Sequence, residues 1–305
     1  MRVLIAGASG FIGRALTARL VAEGHEVVRL VRRRAEADDE SSWAPAAGVI
    51  DFAVMDRADA VVNLAGASLA RIPWTAAVPR ELVASRLDAT RTLTDAMRKA
   101  RRAPAVFVNA SAVGFYGDRP GERLTEASEK GEGFLADLAD RWEATAELAP
   151  EETRVVQLRS GVVLGDGGVL GRVRGLTRAG LGTRLGTGGQ HWPWISLDDE
   201  VDAVMHLLER SAEQGPFNLT GPVPATADRV LGGLAERLHR PYWIAVPDGA
   251  LDALAGAAGR ELLLASQKAL PVRLVQDGFR FRHETVEQAL DAAVSARASR
   301  PVPAR

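Results

Sequence analysis

The chain has 305 residues, 47% of them hydrophobic and 25% charged, with a formal net charge of −1. That length suffices for one large α/β domain with a smaller lobe, and the near-neutral balance leaves no electrostatic footprint for nucleic acid or an anionic membrane surface. Cysteine is absent, which excludes disulfides, thiolate catalysis and thiolate-bound metals, and there are only three lysines, Lys99, Lys130 and Lys268.

Val3 to Ala6 is a short apolar run that reads as a buried strand. It feeds a turn with glycines at 7, 10 and 13, after which Phe11 to Ala22 repeats with helical period until Gly24 stops it. A strand so near the start argues against a signal peptide, and no apolar run approaches the ~20 residues of a membrane span. A soluble, cytoplasmic protein is the expectation. Glu26 to Val31 is a second strand ending in arginines, and residues 33–48, polar with Pro and Ala, read as loop. Asp59 to Leu64 is a buried strand, Pro79 to Arg101 a long helix, Ala105 to Ala110 a strand, Gly133 to Ala149 a helix and Val155 to Leu158 a strand. Strands alternating with helices predict an α/β fold with a parallel, doubly wound sheet. From Gly165 the chain turns glycine-rich and carries Trp192 and Trp194, the texture of a cap over a cleft at 165–195. Helices are predicted at Asp198 to Glu209, Ala227 to Leu238 and Thr285 to Ala296, with a strand at 217–220. The expected organisation is a nucleotide-binding domain over 1–220 including the cap, a C-terminal lobe over 221–297, and a flexible tail over 298–305.

The first turn, "GASGFIG", sits between strand and helix, the context in which such glycines bind a pyrophosphate. Gly7 permits the tight turn, Gly10 lets a phosphate approach the main chain at the helix N-terminus, and Gly13 permits close packing of helix on strand. Ser9, Phe11 and Ile12 complete the cradle. The end of the second strand discriminates between dinucleotides: a carboxylate there suits the 2′-hydroxyl of NAD, a cation the 2′-phosphate of NADP. "RLVRRR" places Val31 where the acid would stand, followed by Arg32 and Arg33. Guanidinium groups meet phosphate with a bidentate fork, so NADP is favoured over NAD; the competing reading is a solvated charge run.

The turn resembles that of extended short-chain dehydrogenases/reductases, and "VVNLAGAS" (61–68) resembles the cofactor-carrying strand and turn of that superfamily. "SRLDAT" (85–90), "NASAVGFYGD" (109–118), "RSGVVLG" (159–165), the stretch 180–203 and "ALPVRLVQDGFRF" (269–281) narrow the likeness to an atypical branch, the epimerase family of uncertain function. The resemblance covers almost the whole chain and implies a Rossmann-like sheet with a C-terminal substrate lobe. By position it implies cofactor contacts from Leu64, Ala65, Gly66, Glu81, Arg86 and Val162, with Val162 at the nicotinamide end. Leu64 and Val162 also have ordinary core readings, and Arg86 a salt-bridge reading.

One superfamily feature is missing. Its usual proton relay is a tyrosine with a lysine four residues later, on one helix face, plus a serine that polarises the carbonyl. Tyr116 and Tyr242 are the only tyrosines, and four residues beyond them stand Pro120 and Val246. Where the pair should fall the chain reads Phe134, Leu135, Leu138 and Ala139. Ser111 remains as a candidate to hold a substrate oxygen, with Tyr116 as acid/base; the alternative for Tyr116 is shaping its turn. An unassisted tyrosine titrates near ~10 and needs a charged neighbour to act at neutral pH. His191 is a further acid/base candidate. The histidines show no ligand spacing, so no metal is expected. Two functions remain: an NADP-dependent oxidoreductase or epimerase acting on a small carbonyl or sugar-like substrate, or a redox-inert NADP(H) sensor or scaffold.

Overall fold

Val3, Leu4, Ile5 and Ala6 are all buried, as a strand covered on both faces requires. The computed structural model describes residues 1–71 and 74–295. In chain order the elements are β1 (Arg2–Ala6), α1 (Phe11–Ala22), β2 (Glu26–Val31), β3 (Glu40–Ala44), β4 (Val49–Ile50), α2 (Phe52–Met55), β5 (Ala60–Asn63), α3 (Ala77–Lys99), β6 (Val106–Ala110), β7 (Arg119–Leu124), α4 (Phe134–Ala146), β8 (Arg154–Ser160) and β9 (Val162–Leu164). They continue with α5 (Gly168–Arg178), β10 (Gly182–Leu185), β11 (His191–Trp192), β12 (Trp194–Ser196), α6 (Leu197–Glu209), β13 (Gly215–Leu219), β14 (Ala225–Thr226), α7 (Ala227–Arg237), β15 (Tyr242–Val246), α8 (Asp248–Ala255), β16 (Gln267–Ala269), α9 (Val272–Gln276) and α10 (Val286–Ser295).

The main sheet has the order β4-β3-β2-β1-β5-β6-β8-β13, and every pair except β3–β4 is parallel. β1 is central, with Val3 opposite Val27 on one side and Ala60 on the other. Alternate residues enter opposite cores. Val3 and Ile5 pack with Leu16 and Leu20 of α1 and with Val201, Val204 and Leu208 of α6, whereas Leu4 and Ala6 pack with Leu93 and Met97 of α3. Each of the Val, Leu, Ile and Met side chains contributes roughly 1.5–3 kcal/mol on burial. The strand order reverses between β1 and β5, the switch point at which open α/β sheets bind ligands outside the carboxyl ends of their strands.

The segment 33–48, expected as loop, contains β3 and a short 3₁₀ turn leading into β4. Ser41 and Trp43 alternate inward while their neighbours face out, and Trp43 joins the α3-side core. A single apolar anchor among polar residues was too thin a period-2 signal, and the sheet edge selects the strand by pairing it with β2. The glycine-rich stretch shares a core with the C-terminal lobe: Leu164, Trp192 and Trp194 pack with Leu231 and Leu234 of α7 and Leu290 of α10. The tail expected at 298–305 lies outside the described residues. Among those described, no helix is long and apolar enough to cross a membrane.

Candidate functional site

β1 ends at Ala6, and Gly7 turns the chain with φ at +85°, a region costly to residues with a Cβ. A Cβ on Gly7 would lie 2.6 Å from the Leu64 carbonyl carbon, because the turn after β5 passes directly against it. A Cβ on Gly13 would run into the Gly7 carbonyl oxygen. Gly10, extended at φ −70°, is the N-cap of α1 and meets only that same oxygen. No side chain caps α1 and its first turn holds no acidic residue. α6 and α7 are capped by Ser196 and Thr226, and α4 by a carboxylate described below. The amide donors opening α1 thus face the switch-point crevice without a side-chain acceptor, which is the arrangement an anion needs. Exposed Ser9 has its carbonyl taken by Arg14, and Phe11 and Ile12 turn into the neighbouring cleft. The Phe11 ring supports the glycine run 165–168, where a Cβ on Gly167 would come within 2.8 Å of it.

At the end of β2, Val31 is half-buried and Arg32 and Arg33 are exposed. Arg33 forms a bidentate pair with Glu40 at 2.8 Å through each nitrogen. Arg32, among the described residues, makes no hydrogen bond or ion pair. The structure therefore separates the two arginines: β3, missed in the sequence, supplies the carboxylate that occupies Arg33.

Beside the cradle opens a cleft of about 390 Å³, floored by the carboxyl ends of β6 and β8 and roofed by residues 261–267 of the C-terminal lobe. Arg86, Ser111, Ser160 and Val162 line it. Leu135, Leu138, Ala139 and Trp142 of α4 also line it, at the spacing of one helix face, and this is the face where the tyrosine and lysine are missing. That wall is apolar. Arg86 is buried, lies against Gly66 and stacks 5.1 Å from the Trp142 ring centroid, and burial pulls its pKa down to about 10 with no acidic neighbour opposing it. The salt-bridge reading of Arg86 thus does not describe it. Glu81 points elsewhere, into an ion pair with Arg71. The acid that does line the cleft, Glu261, accepts from the amides of Phe134 and Leu135 at 3.1 and 2.6 Å, capping α4 from the C-terminal lobe.

Ser111, directly after β6, donates its hydroxyl to Glu143 Oε1 at 2.6 Å. Arg159 of β8 holds both oxygens of Glu143, at 2.9 and 2.8 Å, and also donates to the Tyr116 hydroxyl at 3.0 Å. Tyr116 in turn donates to Asn218 Oδ1 at 2.7 Å. Here the acid/base expectation for Tyr116 is corrected. Its side chain is fully buried, does not line the cleft, and ties its turn to β8 and β13; burial pushes its hydroxyl above the ordinary tyrosine value against the opposing Arg159 charge. His191 also stays outside the lining, and burial, then the Lys268 charge, lower its pKa. The sequence reading missed Glu143 and Arg159. An arginine inside the apolar strand "RVVQLRS" was the available signal, since a buried charge requires a partner. It also missed a grouping of Glu23, His25 and Glu209 at the opposite, amino-terminal edge of the sheet, where the α-amino group and Glu209 already engage His25.

Residues 3–220 match the model of the NAD dependent epimerase/dehydratase family, and residues 246–293 match a domain of unknown function, DUF1731. The epimerase family protein Mb2239 of Mycobacterium bovis is 41% identical over 295 residues, covering 96% of this chain and 97% of its own. Human epimerase family protein SDR39U1 is 34% identical, covering 97% of this chain and all of its own. A crystal structure of human SDR39U1 (isoform 2) with NADPH superposes with a TM-score of 0.88 at 33% identity, covering 97% and 99% of the two chains. MoeE5 in complex with UDP-glucuronic acid and NAD, at 23% identity and a TM-score of 0.78, shares the fold. A glycine cradle at the switch point, an apolar cleft beside it and these matches along nearly the whole length agree on one conclusion: the chain belongs to the NAD-dependent epimerase/dehydratase family, among the SDR39U1-like epimerase family proteins.

Proposed function

We propose that this protein binds NADP(H) across the switch point and uses it as an oxidoreductase or epimerase on a small, largely apolar carbonyl compound. The observation that carries the reading is the cradle of Gly7, Gly10 and Gly13 leading into a helix N-terminus with no cap of its own. The NADPH complex of the human relative supports it. The groups present fit the cofactor. The α1 amides suit the diphosphate, and Arg32, without a partner among the described residues, suits the 2′-phosphate over the β2 end. Leu64, Ala65 and Gly66, in the turn after β5 that passes against Gly7, would flank the diphosphate there. With the adenosine half over β1 and β2, the nicotinamide half falls over β6 and β8, beside Ser111, Ser160 and Val162. When bound, the cofactor supplies or accepts a hydride.

The chain's own residues would do the rest. Ser111, its proton committed to Glu143, presents oxygen lone pairs to the cleft and orients a substrate hydroxyl or hydrated carbonyl. The Arg86 guanidinium offers positive charge beside the apolar α4 face. Phe11, the α4 face and the 261–267 roof exclude water. The apolar α4 face also favours a second reading, a redox-inert NADP(H) sensor. Calorimetry with NADPH and NADH, followed by NADPH oxidation with a panel of ketones, quinones and sugars, separates the two. Tight NADPH binding with turnover supports the enzyme, tight binding without turnover the sensor, and no NADPH binding refutes both.

A further inference from the structure

Glu200 occupies a core position of α6. Leu197, Val201, Val204 and Leu208 around it belong to the apolar cluster between α6, α1 and the sheet. Its side chain is 0% exposed. Oε1 accepts from the Ser160 hydroxyl at 2.7 Å, and Oε2, buried, has no partner among the described residues. An ionised carboxylate here would keep one oxygen dry and unpaired, a costly state that a bound proton relieves. Among the described residues nothing charged stabilises the anion. β6, β9 and β12, which pack against α6, carry no charged residue. On α1, Arg14 bonds the Ser9 carbonyl and Arg19 pairs with Glu23 and Asp202. Asp199, next to Glu200, is taken up by Ser196 and the amides of Arg282 and His283, and Arg159, next to Ser160, by Glu143. Burial, opposed only by the Ser160 hydrogen bond, pushes the Glu200 carboxyl up to about 7. Ser160 ends β8 and lines the cleft beside Gly161 and Val162.

We propose that Glu200 and Ser160 form a carboxyl–hydroxyl couple that stores a proton beneath the cleft and delivers it to an oxygen bound there. The couple stands in for the absent tyrosine and lysine, and the inference rests on the cofactor reading of the cleft given above. When Glu200 is neutral its proton sits on Oε1 and the hydrogen bond runs from Glu200 to Ser160 Oγ, the reverse of the direction taken toward the carboxylate, so the Ser160 hydroxyl turns into the cleft. In the delivering step the Ser160 O–H bond breaks as a new O–H forms on the ligand oxygen. The Glu200 O–H breaks as its proton passes to Ser160 Oγ. Two bonds break, two form, no electrons change owner, and Glu200 is left as carboxylate. Solvent reprotonates it through Ser160 and the open cleft. Ser111 lacks such a store, since both oxygens of its partner Glu143 already accept from the Arg159 guanidinium, whereas Glu200 has no cationic partner among the described residues. Glu200, acting through Ser160, is a positioning and proton-storing residue.

The test uses the full chain with cofactor. Side-chain ¹³C resonances of labelled glutamate are followed against pH, and calorimetry in buffers of different ionisation enthalpy counts protons on binding. One glutamate should titrate near neutrality and vanish from the spectrum of Glu200→Gln. NADP⁺, whose oxidised ring adds a positive charge beside the couple, should release a fraction of a proton near pH 7. NADPH should release less, and Glu200→Gln should abolish the difference. Ser160→Ala, which removes the hydrogen bond favouring the anion, should move the titration to higher pH; its melting curve checks that the fold is intact. Proton release that persists unchanged in Glu200→Gln, or a Glu200 ionised throughout from pH 6 upward, overturns the proposal. Failure of either cofactor to bind overturns the reading of the cleft instead.

Discussion

Replacing Glu200 with glutamine should stabilise the fold at pH 8 and change it little at pH 4.5. In the unfolded chain this carboxyl ionises around its ordinary value of about 4.3, whereas burial raises it to about 7 in the folded protein. The native state therefore binds more protons than the unfolded state between those values, and stability falls as pH rises through the window. At about 1.4 kcal/mol per pH unit, the full penalty approaches ~4 kcal/mol well above pH 7, of which about 0.5 is already present at pH 4.5. Glutamine keeps the shape and can still bond Ser160 but has no ionisation in either state, so the penalty disappears. Urea unfolding of both proteins at pH 4.5, 6 and 8 measures the difference at matched m-values. The variant's advantage should grow by about 3 kcal/mol across the series and level off at the top. An advantage independent of pH, or a loss at every pH, would refute the assignment of Glu200 as a dry carboxyl.

Arg32→Asp should weaken NADPH binding by roughly 10- to 100-fold, the worth of charge-assisted phosphate bonds, while leaving NADH binding nearly unchanged; Arg33→Ala should matter less because Glu40 already holds that arginine. Equal effects in a direct titration would contradict the separation of the two arginines. Gly7→Ala forces a Cβ into positive φ and against the Leu64 carbonyl, so it should cost at least ~1–2 kcal/mol of stability and weaken cofactor binding with it. Glu143→Ala strands the buried Arg159 and should destabilise by about 3–5 kcal/mol, whereas Tyr116→Phe removes only a hydroxyl and should cost about 1–2 kcal/mol without altering the cofactor Kd. Glu261→Ala should speed hydrogen exchange at the Phe134 and Leu135 amides and cost about 1 kcal/mol, reporting the clamp between the C-terminal lobe and α4.

Legibility followed locality. The strand–turn–helix at Gly7 to Gly13 and the buried strands around Val3, Val61 and Phe107 declare themselves within a few residues, because period and turn chemistry are local properties. The empty positions of the proton relay were equally local: a spacing of four either contains a lysine or does not. β3 was lost because a single tryptophan carries it, and its identity as a strand comes from the open edge of β2.

From its sequence alone, the chain determined a parallel, doubly wound sheet, a phosphate-type turn at its first strand and the absence of the tyrosine–lysine pair, all encoded in neighbouring residues. Tertiary structure alone decided which charges are spent and which remain available. Among the described residues it paired Arg33 with Glu40 and left Arg32 open, buried Tyr116 away from the cleft, joined Ser111 to Glu143 and Arg159, and set Glu200 against Ser160 with one oxygen bare. These partners lie up to 43 residues apart along the chain, so only packing brings them into hydrogen-bonding range and only burial makes their charge state costly.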